Sequence, residues 1–440
     1  MKIQILSRKF IKPSSPTPHH LKKMKLSFID QIAPSVYPPF IFYYPADGSS
    51  RCRAENIERR DRLEKSLSDT LRLYYPLAGR FIKDDLLIDC NDHGVEYLEV
   101  QVHGQLVQLL HGEPKIELLS PLVPFAAESD TSPLVVIQIN VFDCGGLVIG
   151  MRASHRIVDA FTYATFVNGW AAASRVGINQ VIGPSFGIAS FLPERDVSWV
   201  KSLKPQPSKN NGSKFVMKSF VFDRATILSL KAKAKTGAGG LLVQREPSKV
   251  DVVIALIWRA LIGVAKAKHG YLRPSLLGQL MNFRGKLSII PENSCGNLYR
   301  HFSARFLGDE SKMELHDLVS LIQNAKRKTV AECEKLLDGD FGPMMVINSM
   351  NEFHEEMYKE EVDVCSFSSL CGFPLYDADF GWGKPAWVSR ACISSEHNVL
   401  MDTKRGDGIE AWVSLEEKNM LQFLQDPTIQ CSVSLTRSLL

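Results

Sequence analysis

The segment that most constrains the fold lies between Val135 and Arg175. Val135, Ile137, Ile139 and Val141 alternate onto one face, Asp143-Cys144-Gly145-Gly146 supplies a turn, and Leu147, Ile149, Met151 and Ala153 return. Apolar residues at a period of two on both sides of a Gly-rich turn specify an antiparallel hairpin. The period then changes, and Asp159 to Arg175 (DAFTYATFVNGWAAASR) reads as a helix. Such a chain folds as a sheet layered with helices. The change of period also sets His155 in the short link between a strand end and a helix start.

At 440 residues the chain exceeds one ordinary core. Two domains of about 200 residues each follow from surface-to-volume scaling. Residues 202–214, SLKPQPSKNNGSK, combine prolines, a glycine and asparagines and form the best linker. The expected division is an N-terminal α/β domain over 1–201 and a C-terminal α/β domain over 215–440. In the first, 55–73 reads as a helix with Leu63, Leu67 and Leu71 on one face, and Leu98, Val100 and Val102 mark a strand. In the second, strands are expected at 215–222, 276–284, 386–393 and 409–413. Helices are expected from Asp223 to Lys235, over 249–268 and over 313–337. Ser414 and Glu417 fit a capping box for a last helix. Neither half shows the regular alternation of a parallel βαβ fold, so mixed sheets are expected.

Composition narrows the function classes. Hydrophobic residues make up 45% and charged residues 23%, which is a folded chain. The net charge of +4 lacks the dense Lys/Arg block of a nucleic-acid tract, and it mildly favours an anionic small molecule. The nine cysteines are odd in number, irregularly spaced and without a C-x-x-C pair, so they read as reduced thiols rather than disulfides or a metal site. MKIQILSRKF lacks the apolar core of a secretory signal. The apolar stretch Val252 to Ala265 is interrupted by Arg259 and is too short to span a bilayer. A cytoplasmic protein with no nucleic-acid or membrane partner is expected.

Ser154-His155-Arg156-Ile157-Val158-Asp159 carries the sharpest chemistry. A histidine in such a link titrates in the right range to take a proton from a substrate hydroxyl. Asp159 either orients the imidazole or anchors the loop through a basic partner. Met281-Asn282-Phe283-Arg284 ends an apolar strand with an arginine that requires an anion, for which Asp159 is one candidate. Asp379-Phe380-Gly381-Trp382-Gly383-Lys384-Pro385 reads as a tight loop pinned by aromatic residues, with no evident proton-transfer chemistry. Tyr75-Pro76-Leu77-Ala78-Gly79-Arg80 reads as a helix stop leading into a strand.

In this order and at these distances, the four elements resemble the plant BAHD acyltransferase family. HRIVD lies near the one-third point, DFGWGKP lies near the C-terminal end, and Cys295-Gly296-Asn297 and Gly408 to Val413 also look like family segments. The stretches PSSPTP, LSFIDQ, DCNDHG, FDCGG and LMDTKRGDGIEAWV are similar to the branch that acetylates alkaloids. The resemblance implies two similar chloramphenicol-acetyltransferase-like domains joined by a crossover, with a solvent channel between them. It implies His155 as general base and Asp159 as a structural residue paired with Arg284. Asp379, Phe380, Gly381, Trp382 and Gly383 would form a supporting loop away from the chemistry. Ser248, Lys249, Ser368 and Ser369 would lie near the coenzyme. It further implies a monomer with no permanently bound cofactor and no metal, using acetyl-CoA as co-substrate and a bulky, hydroxyl-bearing alkaloid as acceptor. Leu370 stands where relatives often carry tryptophan.

Alternatives from other classes are a family member using another acyl-CoA or a non-alkaloid alcohol, a thioesterase, and a binding protein on the same scaffold. No G-x-S-x-G nucleophile elbow is present.

Overall fold

The computed structural model describes residues 1–46, 53–126, 129, 131–197, 214–236, 246–359, 361–391 and 397–433. Residues 202–213 of the expected linker lie outside the described residues, as do Cys52 and Cys392. Two six-stranded mixed sheets organise the chain, with a small three-stranded sheet of Lys23–Lys25, Leu87–Asp89 and Arg80–Ile82.

In spatial order the first sheet runs Lys2–Ile11, Val95–His103, Val135–Phe142, Leu147–Ala153, Pro39–Tyr44 and Trp387–Ser389. The hairpin forms in the expected register, from Val135 opposite Ala153 to Val141 opposite Leu147, with Gly145 at φ 78° in its turn. Its polar positions are buried as well. Segment 116–124 lies over the second face, where Gln138 Nε2 donates to the Pro121 carbonyl and Asn140 Nδ2 to that of Leu122. Gly150 permits this cover, since a Cβ there would sit 2.0 Å from the Leu122 oxygen. The helices Arg53–Leu73 and Ala160–Val176 pack together in this lobe. Trp170 Nε1 donates to the Leu63 carbonyl at 3.0 Å.

The second sheet runs Tyr299–Phe306, Ser275–Asn282, Asp363–Ser369, His397–Asp402, Ile409–Glu416 and Phe215–Phe222. One face, with Leu277, Phe302, Phe367, Leu400, Ala411 and Val413, forms a core with the helix Lys249–His269. That helix carries a reciprocal capping box between Ser248 and Asp251 and ends at Gly270 with φ 83°. Val399, Met401 and Trp412, from the other face, belong to the core of the first lobe.

The lobes therefore share a seam, and one cut in the chain does not separate them. Strand Trp387–Ser389 comes from the expected C-terminal domain but pairs antiparallel with Pro39–Tyr44 of the first sheet. Its Trp387 ring stacks on Tyr43 (4.6 Å) and on Trp412 (6.1 Å), and its Nε1 donates to Glu410 Oε2. Leu375, Ala378 and Phe380 are also in the first core. Assigning all of 215–440 to one domain does not describe this excursion. The expected strand 386–393 shortens accordingly, and 397–402 forms a strand of its own.

Two other expectations change. The helix expected over 313–337 is Leu315–Ala331 followed by a short turn at Glu334–Leu337. Ser414 lies inside strand Ile409–Glu416, and the helix Glu417–Leu424 begins without a side-chain cap. Pairing along the whole of Phe215–Phe222 draws Ser414 into the sheet, opposite Met217.

Trp387 is buried to 2% exposure at this seam. Trp387→Ala is expected to lower unfolding free energy by about 3–5 kcal/mol, the usual cost of deleting a buried aromatic. Denaturant titration of the variant measures this.

Candidate active site

The sheet edge and the helix start fix His155 by its backbone. Ser154 N donates to the Leu134 carbonyl at 2.8 Å and His155 N to that of Val36 at 2.9 Å. Val158 N closes a turn onto the Ser154 carbonyl. Ile157 and Val158 bury their side chains in the first core, which leaves the His155 ring to face the second lobe.

The ring is half-buried, and its Nδ1 lies 3.2 Å from Asn297 Oδ1. Asn297 is buried and arrives from the second lobe. Its Nδ2 donates to Asp30 Oδ1 (2.9 Å) and to the backbone carbonyls of His155 (2.8 Å) and Arg156 (2.9 Å). Three acceptors around one nitrogen settle which way the amide points. Its oxygen therefore accepts from Nδ1–H, and Nε2 is left with its lone pair. The Tyr299 ring stands edge-on to the imidazole at 5.8 Å. Burial pushes the His155 pKa below its ordinary value, and Arg390 adds to this. The His155 backbone carbonyl, the charge of Asp159 and the Asn297 contact oppose it. Burial thus favours the neutral ring, the form a base requires.

Asp159 makes no hydrogen bond to that ring. As N-cap of Ala160–Val176, its Oδ1 accepts from Thr162 N (2.9 Å) and Thr162 Oγ1 (2.8 Å). Its Oδ2 accepts from Arg284 Nη1 at 2.6 Å and Leu298 N at 3.2 Å. Every Arg284 donor is used: Nη2 also reaches Asp159 Oδ1 at 3.4 Å, and the remaining bonds go to Asn282 Oδ1 and the carbonyls of Ser294 and Gly296. Its guanidinium also lies 4.3 Å from the Phe161 ring centroid. Side-chain exposures of 4% for Arg284 and 9% for Asp159 make this a buried pair joining the lobes.

The Asp379–Gly383 loop docks on the first lobe. Asp379 Oδ1 accepts from the backbone N–H of Gly381 and Gly383, both at φ near +100°, a region that favours glycine. Phe380 is fully buried, edge-on to Trp170 and Tyr44, and its carbonyl accepts from Ser174 Oγ. The Trp382 ring meets the guanidinium groups of both Arg59 (4.9 Å) and Arg62 (4.8 Å). The loop thus braces Ala160–Val176, whose first turn Asp159 caps.

The four coenzyme candidates do not form one cluster. Ser248 Oγ is occupied by Asp251 N at the helix cap. Lys249 Nζ pairs with Asp402 at 2.6 Å and donates to the Gly406 carbonyl. Ser369 Oγ accepts weakly from Cys371 N, and the Asp402 carboxylate also takes Gly372 N, so Ser369 and Lys249 lie near one another. Ser368 is separated from Ser369 by strand alternation: it registers with Val399, and Ser369 with Leu400. Ser368 Oγ meets His397 Nε2 at 2.9 Å. Burial, Arg390 and His155 hold the His397 pKa down to about 4.

Among the described residues, no group of three or more His, Cys, Asp or Glu side chains is placed to hold a metal ion. No described helix is long and apolar enough to cross a membrane. A cavity of about 700 Å³ lies in the second lobe, lined by Leu230, Arg259, His316 and Cys431 among others, and includes none of these site residues.

Asn297 and Asp30 escaped individual notice in the sequence. Both lie in stretches singled out only as wholes, Cys295–Asn297 and LSFIDQ. Their partners lie more than a hundred residues away along the chain.

The family model described as "Transferase family" matches residues 1–429. Acetyl-CoA-benzylalcohol acetyltransferase of Clarkia breweri is 39% identical, covering 99% of this chain and 100% of that protein. Akuammiline synthase 1 of Alstonia scholaris is 36% identical, covering 98% of each. The crystal structure of vinorine synthase superposes with a TM-score of 0.82 at 30% identity, covering 99% of both chains.

Removing either member of the buried pair strands the other. Asp159→Ala and Arg284→Ala are each expected to cost about 3–5 kcal/mol of stability. The check is the thermal midpoint and soluble yield of each variant beside His155→Ala, which is expected to fold normally.

Proposed function

The chain belongs to the plant BAHD acyltransferase family, and on that premise we propose that it transfers acetyl from acetyl-CoA to an alcohol with His155 as general base. One observation carries this reading: the His155 ring is half-buried, its Nδ1 faces the Asn297 amide oxygen, and its Nε2 has no hydrogen-bond partner among the described residues. Both substrates bind before chemistry in the channel expected between the lobes. Nε2 takes the hydroxyl proton as the oxygen attacks the thioester carbonyl. The tetrahedral oxyanion collapses, the carbon–sulfur bond breaks, and the imidazolium returns its proton to the thiolate. Asp159, held by Arg284, keeps the loop in place and lends the imidazolium a negative charge without touching the ring. The enzyme acts as a cytoplasmic monomer.

The acceptor is a bulky, apolar alkaloid alcohol. Support comes from the 36% relative named as an akuammiline synthase and from the likeness to vinorine synthase. A second reading, a benzyl-type alcohol, is favoured by the relative at 39% identity. Coenzyme A release from acetyl-CoA, measured against both panels of alcohols, separates them. Activity on the alkaloid panel alone supports the first reading, and activity on benzyl-type alcohols alone replaces it.

His155→Ala is expected to lower kcat by about 10²–10⁴-fold in folded protein, and near-normal turnover contradicts the mechanism. Protonation removes the base, and burial lowers the pKa at which this occurs. The profile of kcat/KM is therefore expected to stay flat as pH falls through about 6.5, the value of free imidazole, and to decline only below it. A decline centred above that value contradicts the burial argument.

A further inference from the structure

We propose that Asp30 is a positioning residue for the reaction, acting through Asn297 to hold His155 in the tautomer whose Nε2 is a base. The proposal rests on the reading of His155 as general base.

Asp30 belongs to the short helix Phe28–Ile32 and is 4% exposed. Its two oxygens have separate tasks. Oδ2 accepts from Ser27 N at 3.1 Å and Ser27 Oγ at 2.6 Å, which completes the cap of its own helix. A capping box asks no more of the side chain. Oδ1 instead takes both Asn297 N at 2.7 Å and Asn297 Nδ2 at 2.9 Å. A buried carboxylate of helix Phe28–Ile32 is thus spent on one asparagine 267 residues away, and that asparagine faces the His155 ring.

The orientation of that amide decides the chemistry. Reversed, Asn297 would present its N–H₂ to Nδ1, which would then have to accept. The ring proton would move to Nε2, and the imidazole would offer the alcohol a donor in place of a lone pair. Reversal would also turn the amide oxygen onto the Asp30 carboxylate and the carbonyls of residues 155 and 156, leaving acceptors facing acceptors. Burial raises the Asp30 pKa to about 6, so at neutral pH its carboxylate supplies the only negative charge among these three and weighs most against the wrong orientation. Gly296 allows the close approach. It sits at φ 127°, and a Cβ there would come within 3.5 Å of the Asp30 carboxylate and 3.1 Å of Ile188.

The test is a double-mutant cycle in the full-length enzyme, with acetyl-CoA and the best acceptor from the two alcohol panels. Asp30→Ala and Asn297→Ala are each expected to lower kcat about 10- to 100-fold, with KM for acetyl-CoA unchanged within about 2-fold. The double variant is expected to be no slower than the worse single one, because both act on one ring. Asp30→Asn keeps an acceptor oxygen toward Asn297 and is expected to recover kcat to within about 5-fold of wild type. Imidazole ¹⁵N shifts, with His155 identified by its loss in His155→Ala, are expected to show the Nδ1–H form in wild type and a mixture in Asp30→Ala. If Asp30→Ala does not fold, Asp30→Ser takes its place, since serine keeps a polar group in the cap. Single effects that multiply, or a folded Asp30 variant with unchanged kcat and an unchanged Nδ1–H tautomer, overturn the proposal. An inactive His155→Ala beside a normal Asp30→Ala removes the proposal alone, whereas an active His155→Ala removes the general-base reading with it.

Discussion

The buried pair of Asp159 and Arg284 is the interaction on which the rest of the site depends. Asp159 caps the helix that follows the histidine and reaches across to Arg284. Burying two charges is costly unless the remaining donors and acceptors are satisfied. Here all the Arg284 N–H groups have partners, and the Asp159 oxygens take three donors besides. Such a network has one good geometry, so it fixes the relative position of the lobes as well as the local turn. The histidine is set by the join between lobes rather than by either lobe alone.

This arrangement differs from a Ser-His-Asp triad, although the residue types invite the comparison. The carboxylate four residues from the histidine is fully used by structure, and an amide orients the ring. An amide partner leaves the imidazole without a carboxylate at Nδ1, which suits a base that must release its proton again to a leaving thiolate. A serine–histidine contact does exist between Ser368 and His397. With an imidazole held near 4, that pair is too weak a base to ionise a serine at neutral pH.

Much of this was legible in the sequence where the signals are local. The hairpin from Val135 to Ala153, the helix beginning after Asp159 and the strand at 215–222 all follow from periodicity and turn residues, and the structure has them within a residue or so. Legibility failed where the cause is tertiary. Nothing near Trp387 announces that its strand joins a sheet made of residues from the other end of the chain. Ser414 and Glu417 have the spacing of a cap, yet sheet pairing claims Ser414. The site divides in the same way. His155 and Asp159 stand out by spacing, and Arg284 by the need of a buried cation for an anion. Asn297 and Asp30 look like an ordinary loop amide and an ordinary helix-start acid. Lys249 is expected near the coenzyme from the resemblance alone, and the carboxylate it meets, Asp402, lies on a distant strand that local sequence does not announce.

On the proposed mechanism, acetyl passes directly from sulfur to the alcohol oxygen, with the imidazole moving only a proton. The most direct measurement mixes enzyme rapidly with radiolabelled acetyl-CoA in the absence of any alcohol. Direct transfer gives no burst of free coenzyme A and leaves no label on the protein. A burst equal to the enzyme concentration, with acetyl bound covalently to the chain, would contradict it.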